Sequence, residues 1–278
     1  MSLTSIIQQA THDDTILSIG PGSLCETIKR HDIRAQLIIV EPDLIRATDL
    51  QRNFYGYDRV TILQQGLAFN SKDAIYHEYN FPAVNSMRAQ SGLEHIFPGL
   101  ELRATHETRP IEIPELLATL PSDHRSMDVF IIDALGDAMD ILTEIETADV
   151  LSRFNYVIVR ATRRAYHDGA APLADITRWL KQKWYDKPFP LYLDDPDFPV
   201  VCFRKSAIAE QLQIATRMKL VAQNDLENLQ LEYRLLHEQK ETRDQLFLKI
   251  TEQLSEVSKF LHEPQAEANK EEQGNKGD

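Results

Sequence analysis

The stretch from Ser206 to His262 contains neither proline nor glycine and is dominated by strong helix formers, so it is committed to one long helix. From Ala222, alternating steps of four and three land on Leu226, Leu229, Tyr233, Leu236, Lys240, Arg243, Phe247, Ile250, Leu254, Val257 and Leu261. Ten of these twelve positions are apolar, a heptad sustained long enough to specify a coiled coil. Leu226, Tyr233, Lys240, Phe247, Leu254 and Leu261 take position a; Ala222, Leu229, Leu236, Arg243, Ile250 and Val257 take position d. Lys240 and Arg243 form a charged layer, which costs stability and can fix register. No β-branched residue stands at a, which leans away from a parallel dimer toward three or four strands. A helix of ~55 residues is about 80 Å long and outruns a domain of this size. The expectation is a homo-oligomer through residues 206–262; the alternative is a helix folded back on the preceding domain. Pro264 is expected to end the helix, leaving 263–278 as a disordered polar tail.

Ahead of this helix, short β-branched runs alternate with amphipathic stretches. Thr15–Ile19, Gln36–Val40, Val60–Gln64, Asp128–Ile132, Tyr156–Arg160 and Val200–Arg204 read as strands, and Leu44–Phe54, Ile141–Ser152 and Pro172–Lys183 as helices. Continuous apolar runs suit strands covered on both faces, and the alternation implies right-handed crossovers and a mostly parallel sheet. Residues 1–14 form a short polar lead-in, 15–205 the α/β domain. Residues 74–112 are expected to hold loops and a hairpin over one edge of the pocket. The proline-rich 188–199 is expected to be a loop before a final edge strand.

A formal net charge of -13 argues against nucleic acid as the main partner, since phosphates need Lys and Arg opposite them. Cys25 and Cys202 are too few for a disulfide framework, which fits a reducing compartment. The histidines lack metal-ligand spacing, so no metal is assigned. No apolar run is long enough to span a bilayer, and the start of the chain lacks an apolar signal core. The expectation is a soluble, cytoplasmic protein.

The run Ile16–Glu26 reads as a strand, a Gly20-Pro21-Gly22 turn and a helix. Glycine suits a tight turn that a ligand approaches closely. The next strand ends at Val40-Glu41-Pro42-Asp43, and a carboxylate there accepts hydrogen bonds from the hydroxyls of an adenosine ribose. Gly20, Gly22 and Glu41 therefore suggest an adenosine-bearing cofactor. The alternative is a plain turn, with Glu41 capping the next helix.

The order of segments resembles the FkbM-type branch of S-adenosylmethionine-dependent methyltransferases. The resemblance runs from about Thr15 to Lys205 and leaves the heptad helix unexplained. It is carried by Ser18–Gly22, by Val40–Asp43, by Gln65–Asp73 and by Asn85-Ser86-Met87. It continues through Ile113–Leu117 and the hallmark segment Ile132-Asp133-Ala134-Leu135-Gly136-Asp137-Ala138. It implies a Rossmann-like class I methyltransferase sheet with flanking helices, S-adenosyl-L-methionine as cofactor, and a sugar hydroxyl of a polysaccharide or secondary metabolite as acceptor. The departures fall at the chemistry. Ser18 and Arg160 stand where acidic residues are usual, Leu24 replaces a third glycine, and Leu135 and Ala138 replace two hallmark glutamates.

Asp133, at the end of a central strand, is a candidate to orient an acceptor hydroxyl or the cofactor amine, or to cap the next helix. In the loop after the fifth strand, His167 is a candidate base, and Arg163 and Arg164 are candidates for holding a phosphate or carboxylate; the alternative is a solvated basic loop. Three functions remain open: an O-methyltransferase, a catalytically degenerate methyltransferase-like assembly protein, and an NAD-dependent oxidoreductase.

Overall fold

The computed structural model describes residues 2–20, 34–69, 74–120, 128–186, 188–192 and 195–274. The chain divides into two units, Met1–Glu210 and Gln211–Asp278.

The first unit opens with helix α1 (Leu3–Gln9), which buries Leu3, Ile6 and Ile7. Ser2 and Ser5 cap it reciprocally, each backbone N–H donating to the other's hydroxyl. A seven-residue helix shows only three apolar positions, too few to display a period among polar neighbours. This is why the segment reads as a polar lead-in from sequence.

Then follow β1 (Thr15–Ile19), β2 (Gln36–Val40), α2 (Leu44–Asn53), β3 (Val60–Leu63), β4 (Gly66–Leu67), β5 (Ala74–Tyr79), β6 (Leu102–Thr108), β7 (Pro110–Ile111) and α3 (Ile113–Ala118). The unit continues through β8 (Asp128–Ile132), α4 (Ala138–Thr147), β9 (Phe154–Arg160), α5 (Leu173–Gln182), β10 (Phe189–Tyr192) and β11 (Val200–Arg204). Among the described residues, seven strands form the main sheet in the order β3-β2-β1-β8-β9-β11-β10. Pairing is parallel from β3 to β9, and β11 runs antiparallel to both of its neighbours. This is a Rossmann-like sheet of the class I methyltransferase type: a doubly wound core with a reversed strand inserted beside one edge. β5 and β6 form the expected hairpin.

One expectation is corrected at the sheet's edge. The stretch 188–199 is not only a loop, because Phe189–Tyr192 is itself the edge strand and β11 lies inside the sheet. Proline masks such a strand in sequence because it cannot donate to the ladder. It is tolerated where the β10–β11 register shifts, between Pro190 and Tyr192.

Alternate residues of each central strand feed two apolar cores. On one face Leu17, Ile38, Phe130, Val157 and Phe203 pack with Ile141, Leu142 and Ile145 of α4 and Ile176 and Leu180 of α5. On the other, Ile16, Leu37, Ile39, Val129, Ile131 and Ile158 pack with α1 and with Leu50 of α2. Burial on both faces is what the unbroken apolar runs encode.

The second unit belongs to helix α6 (Ala207–Gly274). Its 68 residues correspond to about 100 Å. Pro264 lies within the helix instead of ending it. A proline removes one internal hydrogen bond, and the helix formers of 265–273 continue the ladder beyond it. No helix among the described residues is long and apolar enough to cross a membrane.

Candidate functional site

In an open parallel sheet, ligands bind beyond the carboxyl ends of the strands, where the strand order reverses. Here that point lies between β1 and β8, which pair side by side although a long stretch of chain separates them. The first residue beyond β1 is Gly20, at φ +62°. A Cβ built there meets the Asp133 carbonyl oxygen at 2.8 Å. Glycine is therefore required both for the left-handed turn and for its close approach to the end of β8. The Gly20 N–H donates to the Val40 carbonyl at 2.9 Å, and the Asp133 N–H donates to the Ile19 carbonyl at 2.8 Å. The ends of β1, β2 and β8 are thereby tied into one rim. Gly22, the other glycine of the turn, lies outside the described residues.

This rim opens on a cleft at the carboxyl end of the sheet. Gly20, Glu41, Asp133, Asp137, Arg46 and Arg160 all line it. Glu41 is 2% exposed, and burial pushes its carboxyl up to about 7, against the pull of the Asp43 N–H and the Arg46 guanidinium. It does not cap α2. Asp43 does, accepting from the Arg46 N–H at 2.9 Å, while the Asp43 N–H donates to Glu41 Oε1 at 2.9 Å.

Asp133 is paired with Arg160, the strand-end residue of β9, with Nη1 to Oδ1 at 3.2 Å. Burial pushes its carboxyl up to about 6 although Arg160 pulls it down. Asp133 Oδ2 is buried and has no hydrogen-bond partner among the described residues. Neither does Asp133 cap α4, whose N-cap is Asp137. The Asp137 carboxylate receives the Arg88 Nε–H at 2.5 Å, and burial holds its carboxyl at about 6. Arg88 also pairs with Asp140 and donates to the Asp168 carbonyl, so it staples the β8–α4 turn to the loops beside it.

The structure brings Gly20, Glu41 and Asp133 together and leaves the other described candidates outside the cleft lining. His167 is 1% exposed and stacks its Cβ beside Gly136. Burial and the nearby Arg88 charge lower its pKa to about 4. Both of its ring nitrogens are buried without partners among the described residues. It is a neutral interior imidazole and is not placed as a rim base. Arg163 and Arg164 are exposed and absent from the cleft lining.

Sequence reasoning missed Arg46, Tyr76 and Asp137 as lining residues, and took Arg160 only as a departure from pattern. Tyr76 arrives from the β5–β6 hairpin, where burial raises the phenol well above its ordinary range. Asn85, Ser86 and Met87, noted as a small-residue stretch, also line the cleft. Ser86 Oγ donates to the Leu135 carbonyl at 2.6 Å. Leu135 and Ala138, which replace hallmark glutamates, are 2% and 4% exposed and belong to apolar clusters. Among the described residues no cluster of side chains suits a metal ion.

The polar groups lining this cleft would suit a ligand that offers hydroxyl donors and a positive charge. Its hydroxyls would meet the Glu41 carboxylate, and the charge or a further donor would meet the unpartnered Asp133 oxygen.

No family model and no curated protein sequence matches the chain. Solved structures do resemble it. The 23S rRNA methyltransferase ErmE aligns at 13% identity over 73% of this chain and 66% of its own, with a TM-score of 0.37. A dimethyladenosine transferase from Plasmodium falciparum aligns at 10% identity over 75% and 62%, with a TM-score of 0.38. The CurJ carbon methyltransferase aligns at 10% identity over 69% and 48%, with a TM-score of 0.37. The chain spans less than two thirds of the length of each of these three.

Proposed function

We propose that the α/β unit binds S-adenosylmethionine and transfers its methyl group to a hydroxyl oxygen, with a sugar of a glycan or secondary metabolite as acceptor. The observation that carries this reading is one cleft at the switch point of the sheet. It sets a glycine of required left-handed geometry, a buried strand-end carboxylate at Glu41 and a half-paired Asp133 around the same space. Glu41 would hold the ribose hydroxyls, and Gly20 would let the ligand lie against the backbone. When bound, S-adenosylmethionine supplies an electrophilic methyl group. Asp133 Oδ2 is the atom available to orient an acceptor hydroxyl and take its proton. Arg160 keeps Asp133 from rising further and so keeps it mostly ionised near neutral pH. The acceptor class and the FkbM affinity follow the motif order, and the helix α6 carries the unit into a homo-oligomer through its exposed heptad seam.

Calorimetry with S-adenosylmethionine, its demethylated product and NAD tests the reading. Micromolar binding of the first two and none of NAD is expected; no binding of either methyl-cycle ligand at millimolar concentration would sink it. The degenerate reading keeps its own support, because two hallmark glutamate positions are apolar core and Asp133 is clamped by Arg160. It predicts binding of both ligands with no transfer of labelled methyl to any fraction of a cell extract.

A further inference from the structure

We propose that residues 222–261 of α6 pair with the same stretch of a second copy of this chain as a two-stranded antiparallel coiled coil, with the Lys240–Arg243 layer on the dyad. This rests on the self-association read above and fixes its strand number, direction and register.

The seam is bare in the single chain. Leu226, Leu229, Tyr233, Leu236, Phe247, Ile250, Leu254 and Val257 are between 49% and 70% exposed. A continuous apolar stripe of this length on a helix implies a covering surface. The other exposed leucines over the same stretch are Leu231, Leu235, Leu246 and Leu248. In the heptad they fall at f, c, g and b, four different positions, so they make no second stripe. The strand number follows from the antiparallel pairing argued next: a two-fold contact between identical faces closes with two copies, in place of the three or four strands that position a alone suggests.

Direction follows from matching side-chain sizes. In-register parallel pairing sets Tyr233 on Tyr233, Phe247 on Phe247 and Ala222 on Ala222, so layers alternate between overfull and underfilled. It also leaves position a without the β-branched residues that parallel dimers favour. Antiparallel pairing about the charged layer sets Tyr233 against Ile250, Phe247 against Leu236, Leu226 against Val257 and Leu229 against Leu254. Each aromatic ring then faces an aliphatic side chain, the large-with-smaller alternation that fills a seam evenly. The charged pair sits midway between Leu226 and Val257. Reversing the helix about that point therefore returns charge to charge and apolar to apolar. A self-complementary face of this kind is what a two-fold contact between identical chains requires. Asp244, at position e and beside Arg243 in its own helix, flanks Lys240 of the other copy in this arrangement and offsets part of the repulsion.

The test is sedimentation equilibrium of the full chain, joined to electron–electron distance measurement on spin labels at Asn224→Cys and, separately, Gln245→Cys. The unsubstituted chain is labelled in parallel to subtract signal from Cys25 and Cys202. Both substituted positions lie at f, away from the seam. A mass of two copies is expected. The label at Asn224 should report about 50 Å, from the helical rise over the reversed offset, and that at Gln245 a much shorter separation. Two copies with short, equal distances at both positions would overturn the antiparallel arrangement and leave self-association standing. Three or more copies would overturn the two-stranded seam. A monomer would overturn the self-association as well, without touching the methyl-transfer reading.

Discussion

A carboxylate that a ligand needs ionised, but that burial holds protonated, makes binding depend on pH. On the proposed reading Glu41 is such a group, raised to about 7 by desolvation. Ribose hydroxyls donate to the carboxylate, not to the acid, so binding must expel its proton below that pH. Affinity for S-adenosylmethionine is therefore expected to fall about tenfold per pH unit below 7 and to level off above it. Calorimetry in buffers of different ionisation heat would show the released proton. Glu41→Gln should weaken binding about 10- to 100-fold, the usual worth of hydrogen bonds to a charged acceptor, and abolish the pH dependence. A pH dependence that survives in Glu41→Gln would place the titrating group elsewhere. His167 makes the opposite kind of claim, about stability. Its folded pKa of about 4 lies below the ordinary 6.5. The unfolded chain therefore takes up a proton that the folded chain refuses as pH falls. Its contribution is complete above 6.5 and is lost toward 4, up to about 3 kcal/mol. The wild-type urea midpoint should fall relative to that of His167→Gln between pH 6.5 and 4. Parallel curves for the two proteins would mean that the imidazole is hydrated.

At the scale of elements, the turn from β8 into α4 holds the site together. Gly136 there has φ +91°, and a Cβ would meet His167 Cβ at 3.0 Å and Arg88 Cδ at 3.1 Å. Gly136→Ala is expected to cost about 2 kcal/mol in urea unfolding and to loosen Asp137; an unchanged midpoint would show that the turn rearranges freely. In α6 the relevant element is the charged layer. Replacing both Lys240 and Arg243 by Leu should raise the melting temperature of the helix by removing four clustered cations from the seam, and a lower one would count against their facing each other.

The central strands were legible because β1, β2, β8 and β9 are covered on both sides, and double burial writes an unbroken apolar run. Glu41 was legible because the βαβ spacing places it. The pairing of Asp133 with Arg160 was not, since it joins the ends of two neighbouring strands whose adjacency only the sheet order creates. Tyr76 was hidden for a related reason: its place in the cleft comes from a hairpin folding over the rim, with no local periodicity to announce it. His167 misled because its sequence context is a basic loop while its side chain points into the interior.

For the whole molecule, the two units draw stability from different sources, and heat should separate them. The sheet unit has its own apolar cores within one chain, so its unfolding should be independent of protein concentration. The seam side chains of α6 are largely exposed in the single chain, and a helix without a covered apolar face is marginal in water. Its melting should therefore follow mass action and shift upward as concentration rises. The sequence supplies a clean way to see both. Its two tryptophans, Trp179 and Trp184, both belong to the first unit, so their fluorescence follows the sheet unit alone. Far-ultraviolet dichroism is dominated by the 68 residues of α6. A hundredfold rise in concentration is expected to move the dichroism transition and leave the fluorescence transition in place. Saturating S-adenosylmethionine should do the reverse, stabilising the first unit by about 2.7 kcal/mol at one hundred times its dissociation constant. Dichroism and fluorescence curves that coincide at every concentration would mean that helix and sheet unfold as one cooperative body.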